Sequence, residues 1–499
     1  MKILAKKGDL SSCSCDLLVI NAFAGEKKEV LLSDAFDASL SEYLLQVIKE
    51  DRFEAREGST LLIRMDGRIS AKRLLIVGLG KMEEVNAHVL RKAFAQVQHQ
   101  FSGMQATSVV VSMVGLEVAE ADLDQSVQAI VEGFRLSGYS YGRYKKEEKK
   151  KSTETVELVF SDAKLAKKAQ TIVEFAELIC SATISARDLV NTPALHLAPK
   201  DMVESAKALV KEKGPISIKV FDESKLKKMG AGGILGVNQG SDHEPFMVHL
   251  TYKPAKKAKK AIALVGKAVT FDSGGLSLKP ADSMMGMKID MGGAAAVLGV
   301  FSVLAQLGPD VEVHGIFGAV ENMPSGKAIR PGDIVKAING KTIEILNTDA
   351  EGRVTLADTL SYACSLKPDM VIDLATLTGA CMVALGEEIT GLMSNNSELA
   401  QRMLTSAKEA GEEMWELPLY KGYRQLILSD VADVKNIGGR YGGALTAGLF
   451  LQEFVEKDMP WIHMDIAGPA YAERPFNAYE QKGATGHPVR TLIHFLRSY

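Results

Sequence analysis

The sequence predicts an α/β protein of two domains, each a mainly parallel or mixed sheet flanked by helices, joined by a long connecting helix. Three observations predict this architecture. Apolar strand-like runs alternate with stretches of helical periodicity in both halves of the chain, as in sheets covered by helices. One long helical pattern separates the two series. The length of 499 residues gives a prior of about three domains, which allows two because α/β domains are often large.

Composition and charge exclude several classes of protein. Hydrophobic residues make up 46% of the chain and charged residues 24%, which excludes a disordered chain, a collagen-like repeat and a small disulfide scaffold. The net charge of −3 favours no polyanionic partner. The five cysteines lack CxxC spacing, which argues against a disulfide framework and a zinc ribbon. With no apolar leader visible at the N-terminus, we expect a soluble, cytoplasmic protein.

The first predicted domain covers residues 1–162 and alternates strands with helices. Its candidate strands are Leu17–Phe23, Leu61–Met65, Leu74–Gly78, Val109–Val114 and Val156–Phe160. Helical periodicity marks Asp34–Lys49, Val85–Phe101 and Asp124–Leu136. The basic run Arg143–Lys151 has the composition of an exposed loop.

The connecting helix is predicted over residues 163–190 and the second domain over residues 191–499. The helical pattern stops before Asn191-Thr192-Pro193, because proline disfavours helix at the residue before it. Buried strands are predicted at Ala261–Gly266, Val311–Val320, Met370–Ala375 and Trp461–Ile466, and a hairpin at Ile334–Ile345 around Asn339-Gly340. The uncharged stretch Met291–Pro309 is rich in Gly and Ala and predicts a buried helix rather than a membrane span.

Two segments of the second domain carry the chemistry. The first runs from Val265 through Gly293, with the letters VGKAVTFDSGGLSLKP at 265–280 and KIDMGG at 288–293, and the second is NTDAEGRV at 347–354. Each follows an apolar strand and precedes a helical pattern, so both lie at the strand ends where parallel sheets bind ligands. The sequence therefore predicts that four carboxylates converge there, those of Asp272, Asp290, Asp349 and Glu351.

Four buried carboxylates repel one another unless cations neutralise them. Asp349 and Glu351 are two residues apart and face the same side of an extended segment. Two divalent cations would balance the four charges, and a metal pair can hold a nucleophilic hydroxide and polarise a carbonyl. Lys267 ends a buried strand and could bind metal as a neutral amine, whereas Lys279 could stay charged and stabilise an oxyanion. Arg353 offers a forked donor to a planar anion.

Simpler structural roles compete at each position. A role as helix N-cap would explain Asp290 well and Asp349 partly. Gly274-Gly275 suits an ordinary turn, and Lys279 a solvated loop. His463 and Asp465 lie in a predicted buried strand, where core packing is the expected role.

These residues resemble those of the leucyl aminopeptidases, also called cytosol aminopeptidases, which are two-metal exopeptidases. The resemblance rests on NTDAEGR at 347–353 together with VGKAVTFDSGGLSLKP at 265–280 and MKIDMGG at 287–293. It extends to NTPA at 191–194, DLATLTGA at 373–380, the stretch 442–451, WIHMDIAGPA at 461–470 and KGATGHPVR at 482–490. It covers most of residues 185–499, while the N-terminal domain matches only in its general α/β character. Val354 stands where the family motif usually has Leu.

The resemblance implies a ligand set for two divalent metal ions per subunit, Mn²⁺ or Zn²⁺. The more readily exchanged ion would be held by Asp272, Asp349 and Glu351. The tighter ion would be held by Lys267, Asp272, Asp290 and Glu351.

It also implies roles for the remaining site residues. Lys279 would polarise the scissile carbonyl, and Arg353 would hold a bicarbonate ion that acts as the general base. The implied substrate-binding positions are Met287, Thr376, Leu377, Gly379 and Ala467. The resulting prediction is a metal-dependent aminopeptidase that prefers Leu or a similar apolar N-terminal residue, with broad specificity because apolar pockets discriminate by only ~1–3 kcal/mol per methylene. The resemblance further implies a homohexamer acting on peptides. From the sequence itself we expect no membrane partner.

Two alternatives remain open at this point. A two-metal phosphohydrolase also uses carboxylate-bound metal pairs. Additional DNA binding could involve the basic run at 143–151 with Lys164, Lys167 and Lys168. A solvated loop is the favoured interpretation of that region, because Glu147, Glu148 and Glu154 dilute its charge.

Overall fold

The computed structural model describes residues 1–25, 29–32, 36–116, 123–146 and 153–499. The described residues form two compact units, Met1–Cys180 with Pro475–Gln481 and Ser181–Arg474 with Lys482–Tyr499. Each unit is a mixed sheet with helices packed against it, so the predicted α/β class is confirmed. The domain bounds drawn from the sequence stay predictions.

The first unit is built on a seven-stranded sheet in the order β1-β7-β6-β2-β5-β4, with β3 paired to β2. The pairings along β1-β7-β6-β2-β5 are parallel, and β3 and β4 are antiparallel to their neighbours. The strands are β1 (Lys2–Lys7), β2 (Leu17–Ala24), β3 (Val30–Leu32), β4 (Thr60–Arg64), β5 (Arg73–Gly78), β6 (Ser108–Ser112) and β7 (Thr155–Phe160), and the helices are α1 (Ala38–Glu50), α2 (Ala87–Met104) and α3 (Leu123–Ser137).

The central strands of this sheet are apolar throughout because both faces are covered. Leu17 and Val19 pack in one core with residues of α2 and α3, while Leu18 and Ile20 pack in another with residues of α1. Successive strand residues point to opposite faces, so an uninterrupted apolar run is what a doubly covered strand requires. The predicted helix at Asp34 begins instead at Ala38 within the described part of the chain, and residues 33–35 lie outside it.

Helix α4 (Ala163–Asn191) ends immediately before Thr192 and Pro193, close to the predicted boundary. Proline at residue 193 disfavours helical geometry at the residue before it. The helix passes through the position, between Cys180 and Ser181, where the chain leaves the first unit for the second.

The second unit contains an eight-stranded sheet in the order β16-β15-β18-β14-β10-β11-β9-β8. Its central strands β18, β14, β10 and β11 are parallel. β15 is antiparallel to β18 and parallel to β16, and β9 is antiparallel to both β11 and β8. The strands of this sheet are β8 (Ile216–Phe221), β9 (Phe246–Tyr252), β10 (Ala261–Asp272), β11 (Glu312–Asn322), β14 (Met370–Ala375), β15 (Thr390–Ser394), β16 (Met414–Glu416) and β18 (Trp461–Asp465). Two small sheets contain β12 (Ile334–Lys336), β13 (Thr342–Glu344) and β17 (Val434–Lys435), and β19 (Tyr471–Ala472) and β20 (Gly483–Ala484). The helices after α4 are α5 (Pro199–Lys207), α6 (Glu223–Met229), α7 (Gly232–Asn238), α8 (Ala281–Met284), α9 (Gly292–Leu307), α10 (Glu351–Ser365), α11 (Gly379–Leu385), α12 (Ser397–Ala410), α13 (Gly443–Gln452) and α14 (Val489–Arg497).

The hairpin predicted around Asn339-Gly340 is confirmed as the pair β12 and β13. Gly340 has a φ of 90°, a conformation that glycine adopts without steric cost.

The predicted buried helix is also confirmed. Helix α9 is the main part of the stretch Ala281–Leu307, which is long and apolar enough to cross a membrane, yet 78% of its most apolar window is buried inside the protein. A Cβ on Gly293 would lie 2.0 Å from the carbonyl oxygen of Leu374. Glycine therefore lets α9 begin directly against the sheet, which places the turn before it beside the strand ends.

The parallel strands β10, β11, β14 and β18 end at one edge of the sheet with Asp272, Asn322, Ala375 and Asp465. Such an edge is where open parallel sheets bind ligands. The candidate site lies there.

Asp358, on α10, is hydrogen-bonded to two neighbouring segments, and its burial leads to a prediction about stability. Its Oδ2 accepts a hydrogen bond from the backbone of Ile234 at the start of α7, and its Oδ1 accepts one from Ile338 in the hairpin, both at 2.8 Å. Burial raises the pKa of Asp358 to about 7, against the backbone hydrogen bonds that lower it. The folded protein therefore holds a proton that the unfolded chain releases between about pH 4 and 7, so this group's contribution to stability falls as the pH rises through that window.

We expect Asp358→Ala to lower the free energy of unfolding by about 2–4 kcal/mol at pH 5, because buried N–H groups lose their acceptor. The difference from the parent protein should shrink as the pH approaches 7. Urea denaturation at both pH values measures it, and a difference that grows with pH would contradict the assignment.

Candidate active site

Three buried carboxylates meet at the sheet edge. Asp272 is the last residue of β10, Asp290 lies in the turn before α9, and Glu351 is the first residue of α10. One oxygen of each lies within 4.8 Å of an oxygen of the others, and each residue is at most 5% exposed. The predicted convergence of these three is therefore confirmed.

Lys267 lies among these carboxylates. Its Nζ is 2.8 Å from Asp290 Oδ2 and 2.9 Å from Glu351 Oε1, and it donates a 3.0 Å hydrogen bond to the carbonyl of Thr376. Burial opposes the charge on Lys267, but the nearby carboxylates outweigh burial and hold the pKa of its ammonium above the ordinary value.

Asp349 joins the group through Lys279. The Lys279 Nζ is 2.8 Å from Asp272 Oδ2 and also contacts Asp349 Oδ1. Burial opposes the charge on Lys279, yet Asp272 and Asp349 raise the pKa of its ammonium. Two lysines thus face four carboxylates, which leaves an excess of negative charge.

Burial disfavours this negative charge. It raises the pKa of Asp290 well above the ordinary value, although Lys267 lowers it. Burial also raises the pKa of Asp272, as does the charge of Glu351, and burial raises that of Asp349. The carboxylates therefore need a cation to remain ionised together.

The donor set fits divalent metal ions. Asp290 Oδ2 and Glu351 Oε1 are buried and accept no well-directed hydrogen bond from the described residues, although Lys267 lies close to both. Buried polar atoms are rarely left in that state unless an ion or water completes them. Carboxylate oxygens and a lysine nitrogen suit Mn²⁺ or Zn²⁺. A Cβ at Gly352 would lie 2.4 Å from Lys267 Cε, so glycine next to Glu351 makes room for the amine.

Arg353 lies in the first turn of α10 with its guanidinium buried. One nitrogen, Nη1, donates to the carbonyl of Asn436 at 3.0 Å, while Nε has no hydrogen-bond partner among the described residues. Burial lowers the pKa of Arg353 to about 10, which leaves it charged at neutral pH. A buried cation with an unused donor is suited to a small anion.

The predicted substrate-binding positions lie on segments that border the carboxylates. Thr376 Oγ1 donates to Asp290 Oδ1 at 2.9 Å. Leu377 follows it, Gly379 is the first residue of α11, and Ala467 follows β18. Met287 is half-buried in a short turn three residues before Asp290.

Of the simpler structural roles, the N-cap role is wrong, and the turn and core roles are confirmed. Neither Asp290 nor Asp349 caps a helix, because α9 and α10 have Met291 and Ala350 at the N-cap positions and no side-chain cap bond. Gly274-Gly275 does form a turn, with both φ angles positive. His463 is core, as predicted.

The core role of His463 depends on one carboxylate. Its Nδ1 lies 2.6 Å from Asp373 Oδ1, and Asp373 Oδ2 accepts a hydrogen bond from the Trp461 indole. All three side chains are buried.

Sequence reasoning missed two buried asparagines that contact the site. Asn322 Nδ2 donates to Asp272 Oδ1 at 2.8 Å and to the Thr348 carbonyl at 3.0 Å, which holds the two metal-site segments together. Asn322 ends β11 two residues beyond the predicted strand, so its position at the shared edge was a usable signal. Asn436 belongs to no motif, and only the structure places it at Arg353.

Comparison with known proteins agrees with this geometry. The sequence profile described as "Cytosol aminopeptidase family, catalytic domain" matches residues 184–493, and the one described as "Cytosol aminopeptidase family, N-terminal domain" matches residues 19–148. A probable cytosol aminopeptidase of Sulfurihydrogenibium sp. is 43% identical over 99% of this chain and 98% of its own length. One from Aquifex aeolicus is 42% identical over 99% and 98%.

Solved structures agree as well. A tomato leucine aminopeptidase variant superposes with a TM-score of 0.89 at 34% identity, covering 100% of this chain and 97% of that one. The bottromycin maturation enzyme BotP, in complex with Mn, superposes with a TM-score of 0.85 at 35% identity, covering 97% and 99%. With its catalytic-domain profile spanning more than half of the sequence, the chain belongs to the cytosol aminopeptidase family and is a metal-dependent aminopeptidase.

Proposed function

We propose that the protein releases N-terminal residues, preferably Leu or a similar apolar residue, from peptides at a site holding two divalent metal ions. The observation that carries the proposal is the group of three buried carboxylates within 4.8 Å of one another, two of which have an oxygen without a directed hydrogen bond. When bound, the two ions supply Lewis acidity that activates a water and polarises a carbonyl.

The proposed ligands follow from these positions. Asp272, Asp349 and Glu351 would hold the more exchangeable ion, and Lys267, Asp272, Asp290 and Glu351 the tighter one. Lys267 would serve as a ligand only as a neutral amine, so metal binding there releases its proton. Mn²⁺ is one candidate, since BotP, a protein of similar fold, was solved in complex with Mn.

Lys279 is the proposed electrophile. Its ammonium lies between Asp272 and Asp349 and is less buried than Lys267, so it can approach a bound peptide. We propose that it donates to the scissile carbonyl oxygen and stabilises the negative charge that develops there, where a preorganised donor has its largest effect.

Arg353 is the proposed holder of a bicarbonate ion. Its unused Nε and buried positive charge support the binding of a small planar anion. Bicarbonate held there would supply a proton acceptor for the attacking water. The Asn436 carbonyl fixes the guanidinium.

The specificity would come from Met287, Thr376, Leu377, Gly379 and Ala467. A pocket of apolar side chains and backbone discriminates weakly between similar residues, so we propose a preference for Leu rather than a strict requirement.

We further propose a homohexamer that acts in the cytoplasm. All five cysteines are free thiols, as is usual in a reducing compartment. Large apolar side chains are exposed in the second unit and would be covered by assembly: Val383, Trp415, Tyr420, Val431 and Tyr441. Sedimentation that detects only a 53.8 kDa species would contradict the hexamer.

Nucleic acid is not a favoured partner. Lys168 pairs with Asp124 at 2.6 Å, which reduces the free positive charge of the region. The predicted basic run at 143–151 lies only partly within the described residues, since 147–151 fall outside them.

The central test compares free and N-acetylated Leu peptides with metal-stripped protein. We expect cleavage of the free-amine peptide only, restored by Mn²⁺ or Zn²⁺, and lowered about 10²–10³-fold or more in Glu351→Ala because a shared ligand is lost. Glu398→Ala, on an exposed turn of α12, is the matched control. Cleavage of the acetylated peptide, or turnover of a phosphate ester instead, would overturn the proposal.

A second prediction distinguishes the proposed roles of Lys279 and Arg353 from those of the metal ligands. Lys279→Gln and Arg353→Gln should each lower kcat by about 10²–10³-fold with a smaller change in KM, because both groups act on charge that develops during reaction. Both variants should retain the metal content per subunit of the parent protein, as measured by atomic emission. A rise in KM alone would assign these residues to substrate binding instead.

A third prediction concerns Asn322. Asn322→Ala frees Asp272 from its hydrogen bond, and we expect the affinity for Mn²⁺ to fall about 10–100-fold, as is typical when a group that orients a ligand is removed. Equilibrium dialysis measures the affinity without any turnover. Gln401→Ala, on exposed α12, should leave it unchanged, and equal affinities in all three proteins would refute the role.

A further inference from the structure

We infer that Asp465 is a positioning residue that joins two substrate-binding segments and thereby determines selectivity for the N-terminal side chain. The segments are the 376–378 loop, which follows β14, and the 466–467 turn, which follows β18. The inference rests on the proposed function, because it concerns the pocket of that same site.

The Asp465 carboxylate accepts four hydrogen bonds, all from these segments. Oδ1 accepts the backbone N–H groups of Leu377 and Thr378, both at 3.3 Å, and that of Ala467 at 3.2 Å. Oδ2 accepts the Thr378 hydroxyl at 2.6 Å. Two of the donating residues, Leu377 and Ala467, are proposed substrate-binding positions.

Burial makes these bonds strong constraints. Asp465 is 0% exposed, and an ionised carboxylate can only accept hydrogen bonds, so in the absence of water it depends on protein donors. Hydrogen bonds to a charged acceptor are roughly twice as strong as neutral ones. The amides of Leu377 and Thr378 are therefore held by the strand end that carries Asp465.

The loop is also fixed at its other end by the metal site. Its first residue, Thr376, donates to Asp290 Oδ1 at 2.9 Å through its hydroxyl and accepts a hydrogen bond from Lys267 at 3.0 Å through its carbonyl. Its last residue, Thr378, accepts the N–H of Cys381 at 3.0 Å through Oγ1 and caps α11. Leu377 thus lies between one anchor at the metal site and another at Asp465.

This arrangement predicts which kinetic quantities Asp465 controls. Loss of its bonds frees Leu377 and Ala467, while Asp272, Glu351 and Lys279 keep their own contacts. The pocket then becomes less defined, whereas these two carboxylates and Lys279 stay in place. Selectivity between side chains and KM should change more than kcat or metal affinity.

The test compares Asp465→Asn and Thr378→Val with two controls. Thr378→Ser keeps the hydroxyl that bonds Asp465 and caps α11. Asp373→Asn also neutralises a fully buried carboxylate of the same sheet, but this one bonds Trp461 and His463 rather than the loops. The kinetic parameters are measured on Leu and Ala peptides with Mn²⁺-loaded protein, and Mn²⁺ affinity is measured by dialysis.

We expect Asp465→Asn and Thr378→Val to lower the Leu-over-Ala ratio of kcat/KM about tenfold, mainly through KM for the Leu peptide. Thr378→Ser and Asp373→Asn should retain the ratio, and Mn²⁺ affinity should stay within about twofold in all four variants. An unchanged ratio in Asp465→Asn, or the same loss in Asp373→Asn, would overturn the inference.

Hydrogen exchange tests whether Asp465 connects the 376–378 loop and the 466–467 turn, and it does not require that peptides are cleaved. Mass spectrometry should show faster exchange in Asp465→Asn at residues 377, 378 and 467, but not in Asp373→Asn. Exchange that is equal to the parent protein would refute the inference. Failure of the parent protein to cleave any free-amine peptide would instead refute the proposed function.

Discussion

The whole site depends on holding several negative charges in a buried crevice at the end of the sheet. A carboxylate removed from water loses a large hydration energy, and neighbouring carboxylates add repulsion. Lys267 and Lys279 offset part of that charge by direct contact, and the remaining excess makes the crevice selective for cations. The fold provides this arrangement because four parallel strands end at one edge, so chain segments far apart in sequence deliver their carboxylates to one place.

Close packing is what makes room for the amine among these acids. Lys267 lies on a strand buried on both faces, and its side chain passes Gly352, where a Cβ would clash with it. Gly293 likewise lets α9 approach the backbone of β10 and β14. The positions next to the metal ligands are therefore constrained by volume as strictly as the ligands are by charge.

The features that the sequence predicted are those encoded locally. The apolar runs predicted β2, β14, β18 and the first half of β10, and the paired motifs predicted the meeting of Asp272, Asp290 and Glu351, because period and spacing are short-range signals. The predicted end of β10 at Gly266 was wrong, because the strand continues to Asp272 and Lys267 lies in its interior. Asn322, Asn436 and Asp465 act mainly through partners 26 to 90 residues away, and no local pattern encodes such pairs. The capping role considered for Asp290 was wrong because tertiary packing, rather than the adjacent helix, decides where its oxygens point.

Buried aspartates of this unit show why structure is needed to distinguish ligands from structural groups. Asp465 and Asp358 are as buried as Asp290, yet their oxygens accept hydrogen bonds from backbone N–H groups and, at Asp465 Oδ2, from the Thr378 hydroxyl. Asp290 has one oxygen bonded to Thr376 and another with no directed hydrogen bond. A carboxylate whose oxygens are all satisfied by hydrogen-bond donors gains little from a cation, whereas one with an oxygen that lacks a directed hydrogen bond gains a great deal. The lack of a directed hydrogen bond at one oxygen, rather than burial or charge, therefore separates Asp290 and Glu351 from the carboxylates that organise loops. Asp272, whose oxygens contact Asn322 and Lys279, is assigned to the metal site by its position beside those two.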